Sequence, residues 1–91
     1  MTVAEETRAM LGIELCGKLA DLGGGMAKTA IPENGCSVTE LFTLIAQQHP
    51  ALAVPLGSGR VRACVNEMIV APDARVMAGD EVALFPPVSG G

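Results

Sequence analysis

Only one stretch of this chain carries a helical period, and local signals close it at both ends. Ser37 stands three residues before Glu40. That is the spacing of a capping box, in which the hydroxyl takes a backbone N–H of the first turn and the carboxylate reaches back. Cys36 and Leu41 are placed as the two halves of a hydrophobic staple across the same turn. Val38, Leu41, Phe42 and Ile45 then recur at i, i+3, i+4 and i+7, the apolar face of an amphipathic helix. Pro50 disfavours helical geometry at the residue before it, so the helix ends near His49. Elsewhere the apolar residues alternate with period two, the pattern of half-buried strands. One helix among strands covers one face of a sheet and leaves the other to water or to a partner.

Leu11, Ile13 and Leu15 alternate with Gly12, Glu14 and Cys16 as the first strand. The segment from Gly17 to Leu22 leads into Gly23-Gly24-Gly25. This run lacks the Gly-Lys-Ser/Thr ending of a phosphate loop and reads as a flexible turn. Met26 to Ile31 is a second strand, ended by Pro32 and the turn residues Asn34-Gly35. After the helix, residues 51–59 read as a loop containing Pro55. Val61, Ala63 and Val65 alternate with Arg62 and Cys64 as a third strand. Asn66-Glu67 is a tight turn, Met68 to Val70 a return strand, and residues 72–80 a connection. The last strand sets Val82 and Leu84 on one face, Ala83 and Phe85 on the other. The order β-β-α-β-β-β is an α+β layout: a mixed sheet of about five strands with one main helix on one face.

With 91 residues the chain makes one small domain, and 49% apolar residues suffice for a core without disulfides. Two Phe and no Tyr or Trp leave that core to Val, Leu, Ile, Met and Ala. Three cysteines, Cys16, Cys36 and Cys64, show no CxxC spacing and read as free thiols of a reducing, cytoplasmic setting, without disulfide or zinc. His49, the one histidine, is a helix-end residue rather than a ligand, so no metal is expected. A net charge of −4 without a basic run or interleaved aromatics argues against nucleic acid. No segment reaches transmembrane length, and no basic-then-apolar leader opens the chain, so no membrane is expected. No constellation of acid, base and nucleophile is present, and no catalytic residue is expected. Residues 1–9 are polar without strand period and read as an extension; residues 10–86 make the folded domain.

The most distinctive segment runs from Glu81 through Phe85-Pro86-Pro87-Val88-Ser89 to Gly90-Gly91. Two prolines stop the strand, because they fix φ and cannot donate to a ladder. Gly90 and Gly91 have no Cβ, so their backbone fits a channel too narrow for side chains. Residues 87–91 thus read as a flexible finger that delivers its carboxylate into another protein's active site. Phe85 lies on the face away from the helix, and Cys16 shares that face by alternation. A loop would cover such a residue in the plainer reading. Its place beside the tail favours a partner-binding patch, with Phe85, Pro86, Cys16 and Ile69 as the candidate contacts.

These residues carry a resemblance. Val65-Asn66-Glu67, Gly79-Asp80-Glu81-Val82 and Phe85-Pro86-Pro87-Val88-Ser89-Gly90-Gly91 resemble the small, sulfur-carrying subunit of molybdopterin synthase, the MoaD-like branch of the ubiquitin-like proteins. Lys18-Leu19-Ala20-Asp21-Leu22 fits more weakly. The resemblance runs from about Leu11 to the end. It departs at the first nine residues, at Cys16, where the family often has an aromatic, and at residues 51–59. It implies a β-grasp fold and two partners, an E1-like adenylating enzyme and the synthase large subunit. It further implies that Gly91 is adenylated with ATP used by the activating partner, with no cofactor held permanently, and then converted to a thiocarboxylate. Pro87, Val88, Ser89, Gly90 and Gly91 would thread the large subunit's active site and donate sulfur to the cyclic pyranopterin precursor. Alternatives are a sulfur carrier for thiamine, cysteine or tRNA thiolation, and a ubiquitin-like protein modifier.

Overall fold

The computed structural model describes residues 8–86. In chain order the elements are β1 (Arg8–Leu15), α1 (Lys18–Gly23), β2 (Met26–Pro32), β3 (Cys36–Ser37) and α2 (Val38–Gln48). A 3₁₀ turn (Pro50–Leu52), α3 (Ala53–Gly57), β4 (Arg62–Val65), β5 (Met68–Val70), β6 (Arg75–Val76) and β7 (Val82–Phe85) complete the fold. Five strands form a mixed sheet in the order β2-β1-β7-β4-β5, and β3 and β6 form a separate two-stranded ribbon. β1 and β7 lie side by side and parallel, with Leu15 abreast of Leu84. All other pairings are antiparallel. This is the ubiquitin-like β-grasp architecture that the resemblance implies and the α+β pattern permits.

The core obeys the alternation. Leu11, Ile13 and Leu15 of β1, Ala27 and Ile31 of β2, Ala63 and Val65 of β4, and Val82 and Leu84 of β7 are buried on one face. Against them pack Val38, Leu41 and Ile45 of α2, the positions the helical period selects. The capping box forms: the Ser37 hydroxyl accepts from the Glu40 N–H at 3.0 Å, and the Ser37 N–H donates to the Glu40 carboxylate at 2.8 Å. The Val38 and Thr39 N–H groups, which have no partner inside the helix, donate to Ala74 O and Pro72 O at 3.0 Å each. The helix stops at Gln48 with His49 as its cap, ahead of Pro50.

Several elements differ from the sequence expectation. β1 begins at Arg8, two residues inside the stretch assigned to an extension, because Arg8 and Ala9 pair with Pro32 and Ile31. Residues 1–7 and 87–91 lie outside the described residues. Lys18–Gly23 is a short helix rather than an approach to a turn; it buries Leu19, and Gly24 closes it at φ 84. Residues 51–59 are not a plain loop: Leu52 and Leu56, four apart, are both buried beneath a 3₁₀ turn and α3. Pro55 does not prevent this, since the N–H of a first-turn residue has no acceptor within the helix and its loss costs no helix bond. The connection 72–80 contains β6, which pairs Val76 with Cys36 and Arg75 with Ser37. No helix among the described residues is long and apolar enough to cross a membrane.

Candidate functional site

All three helices and the 3₁₀ turn contribute buried leucines or isoleucines to the core, while the strand residues of opposite parity turn away from it. On that outward side the register aligns Glu14, Ala83, Cys64 and Ile69 abreast across β1, β7, β4 and β5. Met26 of β2 continues the row beyond Glu14. Toward the end of β7, Phe85 stands abreast of Arg62, and the Cys16 N–H donates to Leu84 O at 3.0 Å. Phe85 is 39% exposed, Met26 56% and Ile69 69%, while Cys16 and Cys64 are half-buried. The result is a largely apolar sheet face with few charges, Glu14, Lys28 and Arg62 among them. Exposed apolar surface of this contiguity marks interaction sites.

Of the residues singled out from the sequence, Phe85, Cys16 and Ile69 thus share this face. Pro86 sits at its rim: a Cβ on Gly17 would lie 3.0 Å from Pro86 Cγ, so the proline ring rests on bare backbone. Gly17 has φ 58, open to glycine at little cost. This contact sets where the chain leaves the sheet. Pro87, Val88, Ser89, Gly90 and Gly91, the tail residues, lie outside the described residues. Cys64 and Ala83 were not singled out. Alternation along β7 already sets Ala83 beside Phe85 on the outward side, while Cys64 reaches them only through the pairing of β4 with β7.

The Cys16 thiol on this face is quiet. Burial pushes the Cys16 thiol up, helped by the charge of Glu14 and by Cys64. A raised thiol stays protonated and weakly nucleophilic at neutral pH. Among the described residues, no group of three or more His, Cys, Asp or Glu comes together to hold a metal. On the helix side a groove of about 610 Å³ runs between Phe42, Ala46, Leu56, Val61 and Val70. Among the described residues its lining holds no carboxylate, histidine or lysine side chain, so it offers no acid–base pair.

The position of β7 is held by the Asn66-Glu67 turn. Both residues have positive φ, 52 and 71, the twist that suits a two-residue hairpin. The Asn66 N–H donates to Glu81 O at 2.7 Å, and Asn66 Oδ1 accepts from the Glu81 N–H at 2.9 Å. Asn66 Nδ2 donates to Asp80 Oδ1 at 3.1 Å, while Asp80 Oδ2 accepts from the Met77 N–H at 2.8 Å. The Asn and the Gly-Asp-Glu that carried the resemblance therefore have a mechanical role. They clamp the hairpin to the start of β7, and so aim Phe85 and Pro86 at its far end.

Comparison with known proteins agrees with this architecture. The ThiS family matches residues 13–91. The molybdopterin synthase sulfur carrier subunit of Escherichia coli is 37% identical over 67 residues, covering 74% of this chain and 83% of that protein. The crystal structure of small archaeal modifier protein 1 from Haloferax volcanii superposes with a TM-score of 0.74 at 28% identity, covering 91% of this chain and all of that one (100%). A second Haloferax volcanii protein, solved in solution, gives a TM-score of 0.76 at 18% identity, covering 100% of this chain and 94% of that one. At that identity it bears on the fold alone.

Proposed function

From the premise that this chain belongs to the ThiS family, we propose that it is the sulfur carrier subunit of a molybdopterin synthase, with Gly91 as the group that carries sulfur. The observation that carries this reading is the apolar, unpartnered sheet face at the root of a Pro-Val-Ser-Gly-Gly sequence. The likeness to an Escherichia coli subunit of that name supports it.

A carboxylate is ionised at neutral pH and is a poor electrophile. In the proposed cycle the Gly91 carboxylate oxygen attacks the α-phosphorus of ATP on an E1-like partner, and pyrophosphate leaves. Hydrosulfide supplied by the donor system then attacks the acyl carbon, AMP leaves with the bonding pair, and the S–H proton goes to solvent. The product is a thiocarboxylate whose sulfur is the better nucleophile. On the large subunit that sulfur attacks a side-chain carbon of the pyranopterin precursor, and the oxygen substituent on that carbon leaves with the bonding pair. Water then cleaves the acyl–sulfur bond, leaving sulfur on the pterin and restoring the carboxylate. Two donations complete the dithiolene. The chain's own residues supply no proton transfer. Phe85, Pro86, Cys16 and Ile69, with Cys64 and Ala83, dock, while Pro87 to Gly91 reach roughly 17 Å when extended. The setting is the cytoplasm, where the free thiols stay reduced.

A second reading, a ubiquitin-like modifier attached to lysines of other proteins, is favoured by the likeness to small archaeal modifier protein 1. Intact-mass spectrometry after incubation with ATP, an activating enzyme and a sulfur donor separates the two. The expected result is a mass gain equal to sulfur replacing oxygen, mapped to Gly91. No gain with an enzyme shown to charge another carrier would sink the sulfur reading. Isopeptide-linked conjugates without thiocarboxylate would favour the modifier.

A further inference from the structure

β2 is the longer of the two edge strands of the main sheet. The Leu15 N–H donates to Gly25 O at 2.8 Å, which fixes the parity of its ladder with β1. Ala27, Thr29 and Ile31 turn their peptide groups toward β1, and Met26, Lys28, Ala30 and Pro32 turn theirs outward. An outward row of this kind is a template for another strand. From Lys28 O onward the row is filled. Ala30 N–H donates to Gln48 Oε1 at 2.8 Å, and Gln48 Nε2 donates to Ala30 O at 3.0 Å. His49 Nε2 lies 2.9 Å from Lys28 O; the carbonyl only accepts, so this ring nitrogen carries the proton. Pro32 has no N–H, and its carbonyl accepts from the Gly35 N–H at 2.9 Å. From Lys28 O to Pro32 O no group is left for an incoming strand.

The Gln48 carboxamide has the donor and acceptor of a peptide group and occupies the place of one. We propose that Gln48 and His49 form a strand guard, which holds the β2 edge shut against β2 of a second copy of this chain. The outward row is self-complementary. Two copies related by a two-fold axis at Thr29 would set Lys28 opposite Ala30 of the other copy, and each pair would exchange N–H and C=O in both directions. That ladder needs four groups, and the guard occupies three of them, Lys28 O, Ala30 N–H and Ala30 O, leaving only the Lys28 N–H. No side-chain hydrogen bond among the described residues reaches the backbone of β5, so the guard is specific to one edge. The proposal is independent of the sulfur-carrier reading.

The test compares the wild-type chain with Gln48→Ala/His49→Ala by sedimentation velocity from micromolar to millimolar concentration, with amide exchange measured on both. The wild type is expected to be monomeric with a protected Ala30 amide. Gln48→Ala alone should speed exchange at Ala30 by about tenfold, the loss of one hydrogen bond. The double variant should form a reversible dimer. Adding Lys28→Pro, which removes an edge donor, should return it to monomer. A folded double variant that stays monomeric at millimolar concentration overturns the proposal, as does a dimer that survives Lys28→Pro. If the double variant fails to fold, Gln48→Met keeps the side-chain length, removes both bonds and carries the same two readouts.

Discussion

Thr29 is fully buried at the core face of β2, opposite Leu11, and its hydroxyl finds no partner among the described residues. An unmade hydrogen bond in the core costs the desolvation of that group. Thr29→Val, which keeps the branched shape, should raise stability by about 1 kcal/mol in urea unfolding. Two thiols give a pH dependence of known sign. Burial and then Glu14 push Cys16 up, and burial and then Glu40 push Cys36 up against the opposing charge of Arg75. Above the ordinary thiol value of 9.0 the unfolded chain releases protons that the folded chain still holds, so stability falls as pH rises. The urea midpoint should decline above that pH, and Cys16→Ser/Cys36→Ala should flatten the decline. An unchanged slope would place its origin in other groups. At this scale Ser37, Glu40 and Asn66 are legible in sequence because each acts on backbone within a few residues. The Thr29 defect is not, since only the packed layers decide whether a hydroxyl meets a partner.

At the scale of elements, the Asn66-Glu67 turn asks for two residues of positive φ, and only the first suits it well. Glu67→Gly should stabilise the hairpin by about 1 kcal/mol, read as a higher unfolding midpoint. No gain would mean that the Glu67 side chain makes a compensating contact. The main helix and the strands of the sheet are visible in sequence because period and caps coincide there. α1, α3 and β6 are not. Each is shorter than seven residues, too short for a period to repeat. α3 also carries Pro55, and β6 exists because the 72–76 segment satisfies the open N–H groups of α2 and pairs with β3. Those are tertiary causes, absent from local pattern.

For the whole molecule the decisive property is that one face of the sheet is packed and the other is bare. Phe85→Asp should leave the unfolding midpoint within about 1 kcal/mol of wild type and weaken large-subunit binding by about tenfold or more. A sharp loss of stability with intact binding would make Phe85 a core residue. Alternation alone predicts the outward side of Phe85, Cys16 and Ile69 and sets Ala83 beside Phe85, but their assembly with Cys64 depends on strand order. That order has a further consequence for how the protein is made. β1 and β7, the first and last strands of the described chain, are central neighbours in the sheet. Their parallel pairing spans most of the sequence, a contact that forms slowly. During synthesis β1 emerges first, and its parallel neighbour becomes available only once residue 85 has been made. The outward face that carries Phe85 is therefore complete only once β7 has paired with both β1 and β4.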